Sequence, residues 1–156
     1  MRQAGFTLLE LLLVVTILGI ATMIAVPAYT RLMANQQAKA ASTALYMAMV
    51  KARSEAIKRN VNITIGANAS GWQGGWTLQD LTNNAGINID AESALAGVTV
   101  STNPSGLTSL IYQSSGRISA GTYPQIVFTS TNWSGAQYCV SADLGGRPYS
   151  TNGSTC

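Results

Sequence analysis

The sequence predicts an α+β protein: one long N-terminal helix, membrane-spanning in its first half and amphipathic in its second, packed on a C-terminal antiparallel β-sheet head. Three observations lead there. Residues 6–26 form an apolar run of 21 residues in which Glu10 is the only charge. Residues 28–60 contain neither Gly nor Pro and are rich in the helix formers Ala, Gln, Leu, Met and Lys. Beyond residue 60, Ser, Thr, Asn and Gly punctuate short apolar segments, the pattern of strands joined by turns. The chain divides accordingly into a short basic leader (residues 1–5), a membrane helix (6–30) and a head (31–156) that includes the second half of the helix.

The apolar run matches the roughly 30 Å hydrocarbon core of a bilayer at about 1.5 Å of rise per residue. Arg2 precedes it and Arg31 follows it. A cleaved signal peptide, a plain transmembrane anchor and a buried core helix all fit the length, and Val26-Pro27-Ala28 would pass as a small-residue cleavage site. None of them accounts for Glu10. Ionisable groups inside a membrane are rare and are met by a partner, so Glu10 calls for a cation.

Pro27 removes one intrahelical hydrogen bond and is expected to kink or locally melt the rod, which Gly19 weakens further. In the second half, Ala41, Leu45, Ala48, Ala52 and Ala56 recur at three- and four-residue spacing, with Tyr46, Met49, Arg53 and Ile57 alongside. This narrow stripe of small residues suits a close fit on a sheet. Lys39, Lys51, Lys58 and Arg59 lie mostly off it, and Glu55 is placed to pair with Arg53 or Arg59. Asn60 is a plausible stop. Strands are then expected at residues 61–65, 76–79, 98–100, 110–112, 126–128 and 138–140. Turns are expected at 66–71, 83–86, 103–106, 114–116 and 132–135. Six or seven short strands would form a sheet with the helix across one face.

The chemistry of enzymes is missing. The 156 residues include no histidine, the commonest general base and metal ligand. There is no phosphate-binding loop and no dinucleotide fingerprint. No catalytic residue, cofactor or metal is therefore expected. Asp80, Asp90 and Glu92 match no calcium-loop spacing and read as solvated turn acids. Trp72 and Trp76 offer stacking surfaces for sugars or bases, but as large apolar groups they read first as core. The net charge of +3 is mildly basic and only 10% of residues are charged, a composition suited to a secreted β-rich domain. Outside the cytoplasm, Cys139 and Cys156 are most simply a disulfide, with two buried thiols as the alternative.

Gly5, Phe6, the buried acid Glu10 and Pro27 together resemble the class III prepilin signal of type IV pilins and type II secretion pseudopilins. The resemblance implies that a prepilin peptidase cuts after Gly5 and methylates the amine of Phe6. It also implies that Glu10 meets the amino-terminal cation of a neighbouring subunit. Residues 52–61, then Gly71-Trp72-Gln73-Gly74-Gly75-Trp76 and Asp80, are similar to the minor pilin and pseudopilin family that contains FimT, FimU and GspH. Gly116-Arg117, Gly145-Gly146-Arg147 and the terminal cysteines look like the FimT and FimU side. The resemblance implies a minor pilin of a type IV pilus that primes or decorates the filament, with other pilin subunits, the peptidase and the inner membrane as partners. Its head would lie in the periplasm before assembly and at the cell surface afterwards. The alternative is a GspH-like minor pseudopilin of a type II secretion system. The FimT resemblance further implies DNA capture through Arg147, with Arg117, Lys51, Lys58 and Arg59 extending the patch. The Gly-Arg-x-Arg pattern of such receptors is broken here, because Tyr149 stands where the second arginine belongs.

Overall fold

The computed structural model describes residues 7–82, 86–119 and 123–156. Gly5 and Phe6 therefore lie outside the described residues, as does most of the expected turn at 83–86. One helix, α1 (Leu8–Arg59), is followed by eight strands: β1 (Ile63–Asn68), β2 (Gly71–Asp80), β3 (Ile87–Glu92), β4 (Val98–Asn103), β5 (Ser109–Tyr112), β6 (Gln125–Ser130), β7 (Gln137–Ala142) and β8 (Pro148–Asn152). They form two antiparallel sheets rather than the single sheet expected, ordered β3-β2-β1-β5 and β4-β6-β7-β8.

The 52 residues of α1 span roughly 78 Å. The helix runs unbroken through Pro27, so the local melting expected there does not occur. It ends as the sequence suggests: Asn60 takes the left-handed conformation (φ 54°, ψ 40°) and its N–H returns to the last turn. Up to Met33 the described helix is exposed, and from Ala34 its inner stripe closes. Ala34, Ala38, Ala41, Leu45, Ala48, Met49, Ala52 and Ala56 are all buried, which confirms the small-residue seam. Ile57 departs from that stripe and is half exposed.

Between the helix and the sheets lie Trp76, Tyr112, Phe128, Leu45, Met49 and Ile126, each almost fully enclosed. Trp72 and Trp76 are core, as their large apolar rings suggest. The Trp72 indole N–H donates to the Leu107 carbonyl at 2.7 Å, and the Trp76 ring meets Phe128 edge-on. The segment 66–71, expected to be a turn, is mostly strand, because β1 continues to Asn68 and β2 begins at Gly71. Strands β3 and β8 were not expected. Both are edge strands with largely exposed side chains; the alternation Ile87-Asn88-Ile89-Asp90-Ala91-Glu92 is the signal that marks β3, whereas β8 offers none.

Cys139 and Cys156 are joined. Ile126, Phe128 and Val140 belong to the core beneath the helix, whereas Val127 and Cys139, paired across β6 and β7, point the other way. The bond thus fastens the chain end to the face of this sheet turned away from the helix. It closes a loop of sequence separation 17, which corresponds to about 3 kcal/mol in the loop-entropy treatment. Cys156→Ser should lower the unfolding free energy of the full-length protein in detergent by about that amount while leaving its far-ultraviolet spectrum intact. Denaturant unfolding checks this, and unchanged stability would mean that the tail is held by its other contacts.

Candidate functional site

Two regions carry the residues singled out by sequence. The first is the N-terminal half of α1. Leu8, Leu9, Ile17, Met23 and Ile24 are each more than half exposed, as is normal only for a surface covered by lipid or by other helices. The most apolar 18-residue window of this helix has a mean hydropathy of 2.5 and is not buried by the rest of the chain. Length and composition allow it to cross a membrane. At its start stands a capping box. The Thr7 N–H and hydroxyl donate to the Glu10 carboxylate at 3.1 and 3.2 Å, and the Glu10 N–H donates to the Thr7 hydroxyl at 3.3 Å. Within one subunit the acid therefore has local donors but no cationic partner among the described residues.

The second region is built on Arg53. Its Nε donates to the Gly116 carbonyl at 3.1 Å and an Nη donates to the Gly145 carbonyl at 3.3 Å. One half-buried guanidinium thus ties the helix to two distant turns, both ending in Gly-Arg. The two turns share one hydrogen-bond pattern. In the first, the Gly116 N–H donates to Gln113 and the Gln113 N–H donates to Arg117. In the second, the Gly146 N–H donates to Asp143 and the Asp143 N–H donates to Arg147. The Asp143 carboxylate adds two further bonds, accepting from the N–H groups of Gly145 and Arg147 at 2.8 Å each. Gly116 and Gly146 both sit at positive φ (77° and 75°). They also abut: a Cβ on Gly146 would strike the Gly116 carbonyl, and a Cβ on Gly116 would strike Ile57. The Tyr112 hydroxyl, one residue before the first turn, is buried and has no hydrogen-bond partner among the described residues, and burial chiefly weakens its acidity.

The structure brings together some of the expected cations and separates others. Arg117 and Arg147 are exposed on the two abutting turns, and neither forms an ion pair among the described residues. Arg147 borders a groove with Tyr46, Val50, Arg53, Ser54 and Ile57. Lys51 is not part of this patch. It lies on another flank of the helix, where its Nζ meets Asp90 of β3 at 2.7 Å, and this hydrogen bond holds the Asp90 carboxyl below its usual range. Arg59 is committed to Glu55, with Lys58 at 3.9 Å from the same carboxylate, so Arg59 rather than Arg53 is the helix-face partner of Glu55. Asp80 binds the Thr82 N–H, and with Asp90 on Lys51 the two acids do not converge as a cation site. Arg53 was read only as a neighbour for Glu55. Its acceptors lie 63 and 92 positions away, and no local signal points to them.

A rod with a bare apolar half and an antiparallel β head seated on its other half defines a pilin-type subunit, a minor pilin or pseudopilin. Residues 1–26 match the prokaryotic N-terminal methylation motif, and residues 41–146 match the family of the type II transport protein GspH, so the chain belongs to that family. Among solved structures it is similar to the type IV minor pilin FimU of Pseudomonas aeruginosa, at 16% identity and a TM-score of 0.66, covering 78% of this chain and 96% of that one. It is also similar to the minor pseudopilin EpsH of the type 2 secretion system of Vibrio cholerae, at 15% identity and a TM-score of 0.60, covering 74% and 97%. At these identities the likeness is one of fold. No curated protein is a significant match.

The abutting turns generate a paired test. Gly106 has a φ of +78° but open space around it, whereas Gly146 combines a φ of +75° with a backbone carbonyl in the way. Gly106→Ala should cost about 1–2 kcal/mol from backbone strain alone. Gly146→Ala should cost clearly more, because the turn must leave Gly116. Comparable unfolding midpoints for the two variants would show that the turns are not wedged together.

Proposed function

We propose that the chain is a minor pilin of a type IV pilus, which primes or decorates the filament. The observation that carries this reading is the bare apolar half of α1 with one carboxylate, Glu10, close to its start. In the proposed sequence of events, a prepilin peptidase cuts after Gly5 and methylates Phe6. The subunit waits in the inner membrane with its head in the periplasm, then enters the filament core. There Glu10 exchanges its Thr7 donors for the amino-terminal cation of a neighbouring subunit. That exchange replaces hydrogen bonds from two uncharged donors with an ion pair in a low-dielectric setting, where opposite charges attract most strongly. The Gly-Arg turns and the terminal disulfide support a place on the pilus side of the family. The match to a type II transport family favours the second reading, a minor pseudopilin of a secretion system.

Glu10→Ala should insert into the membrane at least as well as the parent, because it removes the cost of taking a carboxylate out of water at the start of the helix, less than the roughly 2.5–3.5 kcal/mol of a charged side chain at a helix centre. It should be missing from sheared filaments. Normal incorporation would show that the carboxylate has no role in assembly. A deletion strain scored for surface pili and for protein secretion separates the two readings: loss of pili with intact secretion supports the pilus, and the reverse supports the pseudopilus.

DNA capture is supported by one observation, the arginines Arg117 and Arg147 on abutting turns, which form no ion pair among the described residues. With two phosphate contacts the dependence of log affinity on log salt should have a slope of roughly −2, and binding should fall in the non-specific range, about 10⁻⁴–10⁻⁶ M. Arg147→Gln should flatten that slope by about 1. Titration of the full-length protein in detergent with duplex DNA at several salt concentrations checks this. Binding that is absent, or indifferent to the substitution, removes the turns as a DNA site.

A further inference from the structure

We propose that the β6–β7 turn is a foot for the head on the bilayer surface, in which the indole of Trp133 enters the headgroup zone of the membrane that holds α1. The proposal rests on the reading of residues 6–30 as a membrane span and deepens it by assigning the head its own lipid contact.

Strand register sets the direction of this turn. At one end of β7 the Tyr138 hydroxyl donates to the Asn35 side chain, and just beyond the other end the Gly145 carbonyl accepts from Arg53. From Asn35 to Arg53 the helix rises roughly 27 Å. From Tyr138 to Ala142 the strand advances roughly 13 Å, and the turn beyond it reaches on to Gly145. The strand and the helix thus run side by side in the same sense, and the turn before β7 points back toward the apolar half of α1. Its level is fixed by Ala136, which packs on Ala34 and Ala38. A Cβ on Gly135 would collide with the Trp133 ring, so the indole folds over the glycine at the tip of the turn. Arg31, the first charge after the apolar run, is one helical turn below Ala34, about 5 Å.

The chemistry of this end of the head suits a lipid surface. Trp133 is 41% exposed, whereas Trp72 and Trp76 are 3% and 1% exposed. An indole with an apolar body and a polar N–H is enriched where a bilayer meets water. The turn Thr131-Asn132-Trp133-Ser134-Gly135 carries no charge that would resist this approach. On the helix beside it, Tyr29, Leu32 and Met33 are exposed, with Arg31 among them. An apolar surface with an aromatic ring and one basic group is the composition of an interfacial belt, and the headgroup layer is roughly 5–8 Å thick on each side of the hydrocarbon. The foot would set the height of the head above the bilayer and its rotation about α1 before the subunit is drawn into a filament.

The test uses the full-length protein in vesicles of phosphatidylethanolamine and phosphatidylglycerol doped with phosphatidylcholine brominated at a shallow or a deep acyl position. Trp72 and Trp76 serve as internal controls. Trp76 borders Ala44 to Lys51, roughly 20–30 Å up the helix from Arg31 at about 1.5 Å of rise per residue. Shallow brominated lipid should quench part of the tryptophan emission, deep lipid should quench less, and the quenching should vanish in Trp133→Phe. That variant keeps a ring over Gly135 and so preserves the turn. Equal quenching of parent and variant would overturn the proposal. Flotation with the vesicles at alkaline pH reports the span separately. A chain that floats without lipid quenching of Trp133 loses the foot and keeps the anchor, and a chain that fails to float loses both. Shielding of Trp133 from aqueous acrylamide only in sheared filaments would give the turn to a neighbouring subunit and would equally overturn the lipid contact.

Discussion

The whole head depends on the seam of small side chains along the second half of α1. An alanine stripe lets the backbone of a helix come close to a sheet, and here it does so for two sheets at once. Larger residues at Ala41, Ala48, Ala52 or Ala56 would force the sheets outward and open the space that Trp76, Tyr112 and Phe128 fill. The first half of the same helix obeys the opposite rule. Its side chains are long, apolar and bare, and they acquire burial only from lipid or from other helices. One continuous rod therefore carries two incompatible surfaces, divided near Ala34.

Arg53 marks where that seam becomes specific. Apolar packing along an alanine stripe tolerates sliding by a helical turn, because the stripe nearly repeats itself. A guanidinium bonded to two carbonyls does not, since a shift of one turn would leave both acceptors behind. The bond also fixes the two Gly-Arg turns against each other, so Arg117 and Arg147 inherit their relative placement from Arg53, which bonds the backbone of the glycines preceding them.

Much of this was legible in the sequence because its signals are local. The apolar run, the alanine spacing, the Asn60 stop and the paired cysteines each depend on residues close together or on a single residue type. The strands that were read correctly carry inward apolar groups such as Ile126 and Phe128. What escaped is either marginal or remote. Ile87–Glu92 alternates apolar and polar residues but is short and exposed at a sheet edge, and Pro148–Asn152 opens on a proline and continues with polar side chains, as edge strands do. The split into two sheets depends on which strands pair, a choice made by long-range contacts. The basic patch was over-read for the same reason. Sequence places Lys51, Lys58 and Arg59 near Arg53, but helical periodicity turns them to other flanks and to acidic neighbours.

The covalent bond between Cys139 and Cys156 has a consequence at the exposed end of the head. The loop that it closes contains the Asp143–Arg147 turn, where Leu144 is 75% exposed. Protruding turns of this kind are where proteases cut first. A cut there would leave the last strand joined to β7 through sulfur as well as through its ladder of hydrogen bonds, so a nicked chain would keep both halves of the broken turn together.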